Sequence, residues 1–126
     1  MRKHLYKGKR ISDNKWTFGG ISYAKDGAVF IVTTAKDNLG YITLMEQVYP
    51  ETVCEYTGID DKNGTNIFEW DILLKGFEKV LVKLNSNQCR WGIYSNGYEI
   101  SGFNESTKNY FEVIGNIHEN KNLLED

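Results

Sequence analysis

The stretch that decides the fold is Tyr56-Thr-Gly-Ile-Asp-Asp-Lys-Asn-Gly-Thr-Asn-Ile-Phe-Glu-Trp-Asp71. A turn is predicted at Asp60-Asp-Lys-Asn-Gly64, because Asp side chains accept backbone hydrogen bonds and Gly tolerates positive φ. Thr65 to Trp70 is too short for a stable helix and is expected to form a single helical or 3₁₀ turn. The strand Ile72-Leu-Leu74 follows directly. We expect a turn and then an apolar plug at one end of a small barrel.

Extended runs rich in β-branched and aromatic residues flank this segment on both sides. They cover residues 5–11, 16–23, 28–34, 41–48, 52–57, 72–74, 80–84, 90–95, 98–101 and 110–117. Asp26-Gly27 and Asn96-Gly97 predict tight hairpins, and Gly19-Gly20 indicates a bulge or a close backbone approach. The tail from Asn120 to Asp126 is expected to form one helical turn.

This spacing predicts a mostly β fold, all-β or α+β, with about nine short strands. We expect small curled sheets or a partly open SH3-like barrel, with one or two short helical turns. A chain of 126 residues fits a single domain over 1–126. Pro50 separates two blocks of strands, which suggests an N-terminal β lobe over 1–49 and a C-terminal barrel lobe over 50–126.

Charge and cysteine usage narrow the range of partners and compartments. The net charge of −2 does not favour nucleic acid. The basic residues near the start read best as a solvated first strand whose lysines deter unwanted pairing: Arg2, Lys3, Lys7, Lys9 and Arg10. We expect no signal peptide and no membrane partner, because no long apolar run occurs. Cys54 and Cys89 are then expected to be free thiols in a cytoplasmic protein.

Two segments together resemble the YopX family of bacteriophage and prophage proteins. The first is Tyr56–Ile72, which is similar to that family's Tyr-Thr-Gly-Leu, Lys-Asn-Gly and Ile-Tyr-Glu-Gly-Asp-Ile pattern. The second is Phe111–Asn120, similar to its closing Glu-Val-Ile-Gly-Asn-Ile-Tyr-Glu-Asn. Trp70 stands where the family usually has Gly, and His118 stands where Tyr is common. The resemblance implies a small phage or prophage protein of unknown biochemical role, and it supplies no functional residues.

The residues themselves predict no catalytic site, no metal site and no cofactor. Asp60 or Asp61 is expected to bind backbone N–H groups of the turn, and Asp71 to fix the entry into the next strand. These expectations define a candidate structural or interaction motif: Tyr56, Gly58, Asp61, Asn63, Gly64, Phe68, Trp70 and Asp71. An uncharacterised hydrolase using the Asp60–Asp71 carboxylates ranks last, because no second carboxylate can be placed opposite them.

The leading hypothesis is a non-enzymatic accessory protein that binds another macromolecule. Self-association is expected, because strands in a small chain leave edges that must be covered, and a host or phage protein of unknown identity is a further partner. The alternative is a small barrel that binds single-stranded nucleic acid by stacking bases on aromatic rings beside basic side chains. Its candidate contacts are Lys7, Lys9, Arg10, Trp16, Arg90 and Trp91. Nucleic acid is not the favoured partner.

Overall fold

The structure is a computed structural model and describes residues 4–125. Arg2 and Lys3 of the predicted basic segment, and Asp126 of the predicted C-terminal turn, lie outside the described residues. The strands are β1 (Tyr6–Lys9), β2 (Trp16–Tyr23), β3 (Val29–Asp37), β4 (Gly40–Val48), β5 (Cys54–Asp60), β6 (Asn66–Phe68), β7 (Asp71–Lys75), β8 (Glu78–Asn85), β9 (Arg90–Ser95), β10 (Tyr98–Gly102) and β11 (Glu112–Asn116). Short 3₁₀ helices span Pro50–Thr52, Glu105–Tyr110 and Lys121–Leu124.

The prediction of a mostly β fold is confirmed, since 57% of the chain is strand. All pairs of neighbouring strands are antiparallel, and the sheets formed by residues 4–125 are not closed into a barrel. The C-terminal helical turn is confirmed at Lys121–Leu124. A further 3₁₀ helix, Glu105–Tyr110, lies between the runs 98–101 and 110–117 and takes up the first residue of the second run. The Asn104 side chain caps it by accepting a hydrogen bond from the Ser106 amide.

The chain divides into two compact units between Glu55 and Tyr56, whereas the predicted lobes met at residues 49 and 50. In the first unit the strand order is β4-β3-β2-β1, and β1 also pairs with Cys54 and Glu55 at the start of β5. The core of this unit is built from strands β3 and β4, with residues from β1, β2 and the segment before β5 against it: Val29, Ile31, Val48, Tyr6, Ile21 and Val53.

The backbones of β2 and β3 approach each other closely at Gly19. A Cβ placed on Gly19 would collide with the carbonyl oxygen of Val32, whereas at Gly20 it would lie 3.9 Å from the same oxygen. The predicted close approach at this glycine pair is therefore confirmed, and it depends on Gly19. Strand β1 and the end of β4 are also joined, since the Tyr49 amide donates to the Lys9 carbonyl at 2.9 Å.

The second unit begins with the rest of β5, which pairs with β6. Its larger sheet has the order β10-β9-β8-β7-β11. The side chains of its core come from β6 to β9 and from the segments around the second 3₁₀ helix: Ile67, Leu73, Val80, Val82, Trp91, Ile93, Phe103 and Phe111. The tight hairpin predicted at Asn96-Gly97 is confirmed: both residues have positive φ, 53° and 85°, as a two-residue type I′ turn requires.

The helical turn predicted at Thr65 to Trp70 is wrong, because Asn66–Phe68 is strand β6. Since the sheets of the described residues are not closed into a barrel, this segment does not plug the end of one. Phe68 lies opposite Tyr56 of β5, and Asn66 lies opposite Asp60. A neighbouring strand was available to satisfy the backbone of this segment, and that pairing decided its conformation.

Candidate functional site

Asp61 organises the turn of the Tyr56–Asp71 segment. Its side chain is 4% exposed. One carboxylate oxygen accepts hydrogen bonds from the Asn63 and Thr65 amides at 2.8 Å each, which confirms the predicted turn, and the other accepts from the Val113 amide of β11 at 2.9 Å. Burial is the largest single influence and raises the pKa of this carboxyl, but these three donors and the charge of Lys62 outweigh it and lower the pKa overall.

Tyr56 anchors the start of the same segment. Its hydroxyl donates to Asp60 Oδ1 at 2.6 Å, and its ring lies 5.6 Å from the Phe68 ring. Burial, the hydrogen bond to Asp60, and the negative charges of Asp60 and Glu105 raise the pKa of Tyr56 to about 12. The phenol therefore stays neutral at physiological pH and serves as a hydrogen-bond donor.

The remaining polar groups of the motif also serve its conformation. Asp71 is buried and accepts a hydrogen bond from the Phe68 amide at 2.9 Å. The Asn63 side chain donates to Glu112 Oε1 at 3.2 Å. Gly58 and Gly64 have φ of 87° and 83°, which a residue with a side chain rarely adopts. The two buried carboxylates, Asp61 and Asp71, are thus engaged by backbone N–H groups of their own unit.

The predicted basic contacts of the first unit lie around Trp16. The ammonium groups of Lys7 and Lys9 lie 4.6 Å and 5.5 Å from the centroid of the Trp16 ring. Arg10 is paired with Asp13, with Nη2 and Oδ2 2.7 Å apart. The structure thus brings Lys7, Lys9 and Trp16 together, while the Arg10 guanidinium is already bound to a carboxylate.

Arg90 and Trp91 lie in the second unit and have different surroundings. Arg90 Nη2 lies 2.5 Å from Glu99 Oε1, and Tyr94 and Asn85 bind the other oxygen of that carboxylate. Trp91 is 9% exposed and belongs to the hydrophobic core. Because the ring is buried in this core, it is not available to stack on a base, and the prediction of Trp91 as a nucleic-acid contact is corrected.

The second unit also has a small surface cavity of about 160 Å³. Leu81, Leu124 and the hairpin residues Asn96 and Gly97 line it. Lys83 and Tyr94 also line it, and Lys83 Nζ lies 4.4 Å from the centroid of the Tyr94 ring. Among the described residues, no group of three or more His, Cys, Asp or Glu side chains is placed to hold a metal ion, here or elsewhere.

One exposed apolar surface was not predicted from the sequence. It lies on the outer half of the β3–β4 hairpin, which we call the arm and define as Thr34–Met45. Leu39 at its tip is 97% exposed, Tyr41 is 76% exposed and Met45 is 55% exposed. Ile42 and Leu44, on the opposite face of β4, are exposed as well. The run Tyr-Ile-Thr-Leu-Met, which lacks polar alternation, is the sequence signal that could have found it.

Strand β4 is also the edge of its sheet. It spans nine residues and pairs with β3 without a register shift. The other edges of the described sheets are shorter: β6 has three residues, and β10 and β11 have five each, with a register shift in both. Short strands and bulges protect an edge from further pairing. Of the edges among residues 4–125, β4 is therefore the one without this protection, except at its end, where Val48 forms a bridge with Arg10.

A family model described as YopX protein matches residues 6–125. The chain belongs to the YopX family. The crystal structure of protein EF1440 from Enterococcus faecalis is similar to this chain, with a TM-score of 0.65 and 20% sequence identity over 99% of this chain and 100% of that one. No curated protein matches. At this identity the likeness concerns the fold alone.

Trp70 is the clearest departure of this YopX protein from the pattern noted in its sequence. The residue has φ of 71°, a conformation that is an outlier for a bulky side chain. Its amide donates to the Val82 carbonyl at 2.7 Å and its carbonyl accepts from the Ile117 amide at 2.9 Å. These two bonds hold the backbone in a conformation that Gly adopts easily and that Trp70 adopts here.

Proposed function

We propose that this YopX family protein is a non-enzymatic module that binds another macromolecule. The observation that carries the proposal is the arm, where Leu39, Tyr41, Ile42, Leu44 and Met45 are exposed beside a long regular edge strand. A two-stranded hairpin that is open to solvent is marginally stable by itself. Covering its apolar side chains stabilises it by roughly 25 cal/mol for each Å² removed from water. A partner strand would also bind the backbone groups of the edge.

The absence of an enzymatic role is part of this proposal. Three carboxylates of the Tyr56–Asp71 segment have other partners: Asp61 and Asp71 accept backbone hydrogen bonds, and Asp60 accepts from the Tyr56 hydroxyl. A general acid or base needs a carboxyl within reach of substrate protons. Hydrogen bonds to the backbone stabilise the ionised form of Asp61 instead.

We further propose that the protein is a phage or prophage accessory protein acting in the bacterial cytoplasm. The resemblance of the Tyr56–Ile72 segment to that family's pattern supports the genomic origin. The two cysteines support a reducing compartment: both are free, and Cys89 is exposed. In addition, none of the helices among residues 4–125 is long and apolar enough to span a membrane.

The test is a binding experiment in an extract of the bacterium that carries the gene, with three forms of the immobilised protein. These are the unchanged protein, Ile42→Lys on the arm, and Ile100→Lys as the matched control. Ile100 is as exposed as Ile42 but lies on the bulged edge strand β10. We expect the unchanged protein and the control to retain the same protein, at least about tenfold more than Ile42→Lys does. Retention of nothing, or equal retention by all three forms, would contradict the proposal.

Nucleic-acid binding is tested in parallel with a fluorescent single-stranded oligonucleotide. We expect weak or no binding at physiological salt, because the net charge is −2 and Arg10 and Arg90 are paired with carboxylates. Tight binding that falls steeply as salt rises, and that is lost in Trp16→Ala, would instead support the alternative of a single-strand binder around Trp16.

A further inference from the structure

We propose that the outer edge of β4 pairs antiparallel with β4 of a second copy of this chain, about a two-fold axis at Thr43. This inference rests on the proposed function, since it names the macromolecule that the arm binds.

The first argument is the direction of the backbone groups. The Gln47 carbonyl accepts a hydrogen bond from the Ile11 amide at 3.0 Å, on the side of β4 away from β3. In an antiparallel sheet, alternate residues direct both backbone groups to the same edge. Met45, Thr43 and Tyr41 therefore direct their N–H and C=O groups outward, where no strand among residues 4–125 pairs with them.

The second argument is the match of side chains in one register. With the axis at Thr43, Tyr41 of each copy lies opposite Met45 of the other, and these outward residues can exchange hydrogen bonds. Ile42 then lies opposite Leu44 on the other face. All four exposed apolar side chains of the strand thus meet an apolar side chain, and such cross-strand pairs stabilise a sheet.

The neighbouring registers fit less well. Moving the axis to Leu44 places Ile42 opposite Glu46 and requires the outer edge of Gln47, which Ile11 already occupies. Moving it to Ile42 places Leu44 opposite Gly40. If the axis passed between two residues, residues whose backbone groups point outward would lie opposite residues whose groups point toward β3, and no backbone hydrogen bonds could form between the two copies. Of these registers, only the one centred on Thr43 allows both backbone hydrogen bonds between the copies and apolar pairing of all four exposed side chains.

The low charge of β4 and the exposed apolar area of the arm are both compatible with a second copy of the chain as the partner. The strand Gly40–Val48 carries one charged side chain, Glu46, which in this register faces Gly40 and not another charge. Since a large side chain presents roughly 150–250 Å², the exposed residues of the arm offer on the order of 500 Å² per copy. A standard interface buries about 800 Å² per partner. An interface below the standard size belongs to the weak, transient class, so dimerisation is expected at micromolar concentrations.

Sedimentation equilibrium from about 1 to 200 μM, a range chosen to span such an affinity, tests the interface. We expect a monomer–dimer equilibrium. Thr43→Pro removes an outward N–H that β3 does not use, and should raise the dissociation constant at least about tenfold. Thr43→Val keeps that N–H and should dimerise like the unchanged protein. Met45→Lys, which leaves the backbone intact, should also weaken the dimer if Thr43→Pro proves to unfold the arm.

Disulfide trapping in a Cys89→Ser background tests the register. Ile42→Cys mixed with Leu44→Cys should cross-link, since directly opposite residues outside the hydrogen-bonded pairs have Cα atoms about 4.5 Å apart. Either variant alone should not, because the same residue of the two copies lies diagonally apart, at about 7–8 Å.

A monomer throughout the range, a dimer unaffected by both Thr43→Pro and Met45→Lys, or cross-linking within a single variant would overturn this inference. The proposed function fails on a different result, namely when the arm variant Ile42→Lys retains the same proteins as the control.

Discussion

Replacing Asp61 with Ala should be among the most damaging single changes in the second unit. The substitution leaves three backbone N–H groups without their acceptor, those of Asn63, Thr65 and Val113. A hydrogen bond to a charged group contributes about 1.5–3 kcal/mol when its donor is buried. The Val113 donor lies on β11, whereas the other two lie in an exposed turn that water can reach. We therefore expect a loss of about 4 kcal/mol from a total of roughly 5–15 kcal/mol.

Urea denaturation followed by tryptophan fluorescence measures this loss as a fall in the transition midpoint. Asp61→Asn keeps one acceptor oxygen but presents an amide donor to the Val113 amide, so it should cost about half as much, roughly 2 kcal/mol. Asp26→Ala is the control. Asp26 makes the same kind of turn contact with a single amide, that of Ala28 at 2.9 Å, and is exposed. A loss for Asp61→Ala no greater than that for Asp26→Ala would refute the reasoning.

The effect of Asp61 should also depend on pH. Because its pKa is lowered in the folded protein, the carboxylate contributes stability above its unfolded pKa of about 3.9, and this contribution is lost as pH falls through the folded pKa. Asp61→Asn has no such group. The difference in unfolding free energy between the two proteins should therefore shrink as pH falls below about 5 and on through the folded pKa of Asp61. A constant difference would show that the charge of Asp61 is not involved.

Two further predictions concern the backbone. Gly19→Ala should destabilise the first unit by about 2 kcal/mol, because the new Cβ would collide with the Val32 carbonyl oxygen. Gly20→Ala should change the stability by less than about 1 kcal/mol. Thermal melting of both variants checks this prediction, and equal melting temperatures would contradict it. Trp70→Gly should be more stable than Trp70→Ala by about 1 kcal/mol, since both lose the ring and only Gly relieves the positive φ. Chemical denaturation of the two variants measures this difference in stability. If Trp70→Ala proves more stable than Trp70→Gly, the backbone at position 70 is not strained.

Features that depend on a few adjacent residues could be predicted from the sequence. Strand β2 has its predicted bounds, Trp16–Tyr23. The Asn96-Gly97 turn adopts the predicted positive φ at both positions. The sequence predicts that Asp60 or Asp61 accepts the backbone hydrogen bonds of the turn, and in the structure Asp61 accepts them from the Asn63 and Thr65 amides. Turn chemistry and side-chain alternation depend on residues that are adjacent in the sequence, so both can be predicted from the sequence alone.

What only the tertiary structure decided depends on which strands become neighbours. The Thr65–Trp70 stretch is partly strand because β5 lies beside it, and Asp61 binds the Val113 amide, 52 residues away in the chain. Trp91 is in the core, whereas the equally apolar run in β4 is exposed, because β4 is left at an edge. The composition of a segment determines whether it can form a strand and be buried. Whether another strand packs against it depends on contacts between residues that are distant in the chain, and the local sequence does not specify these.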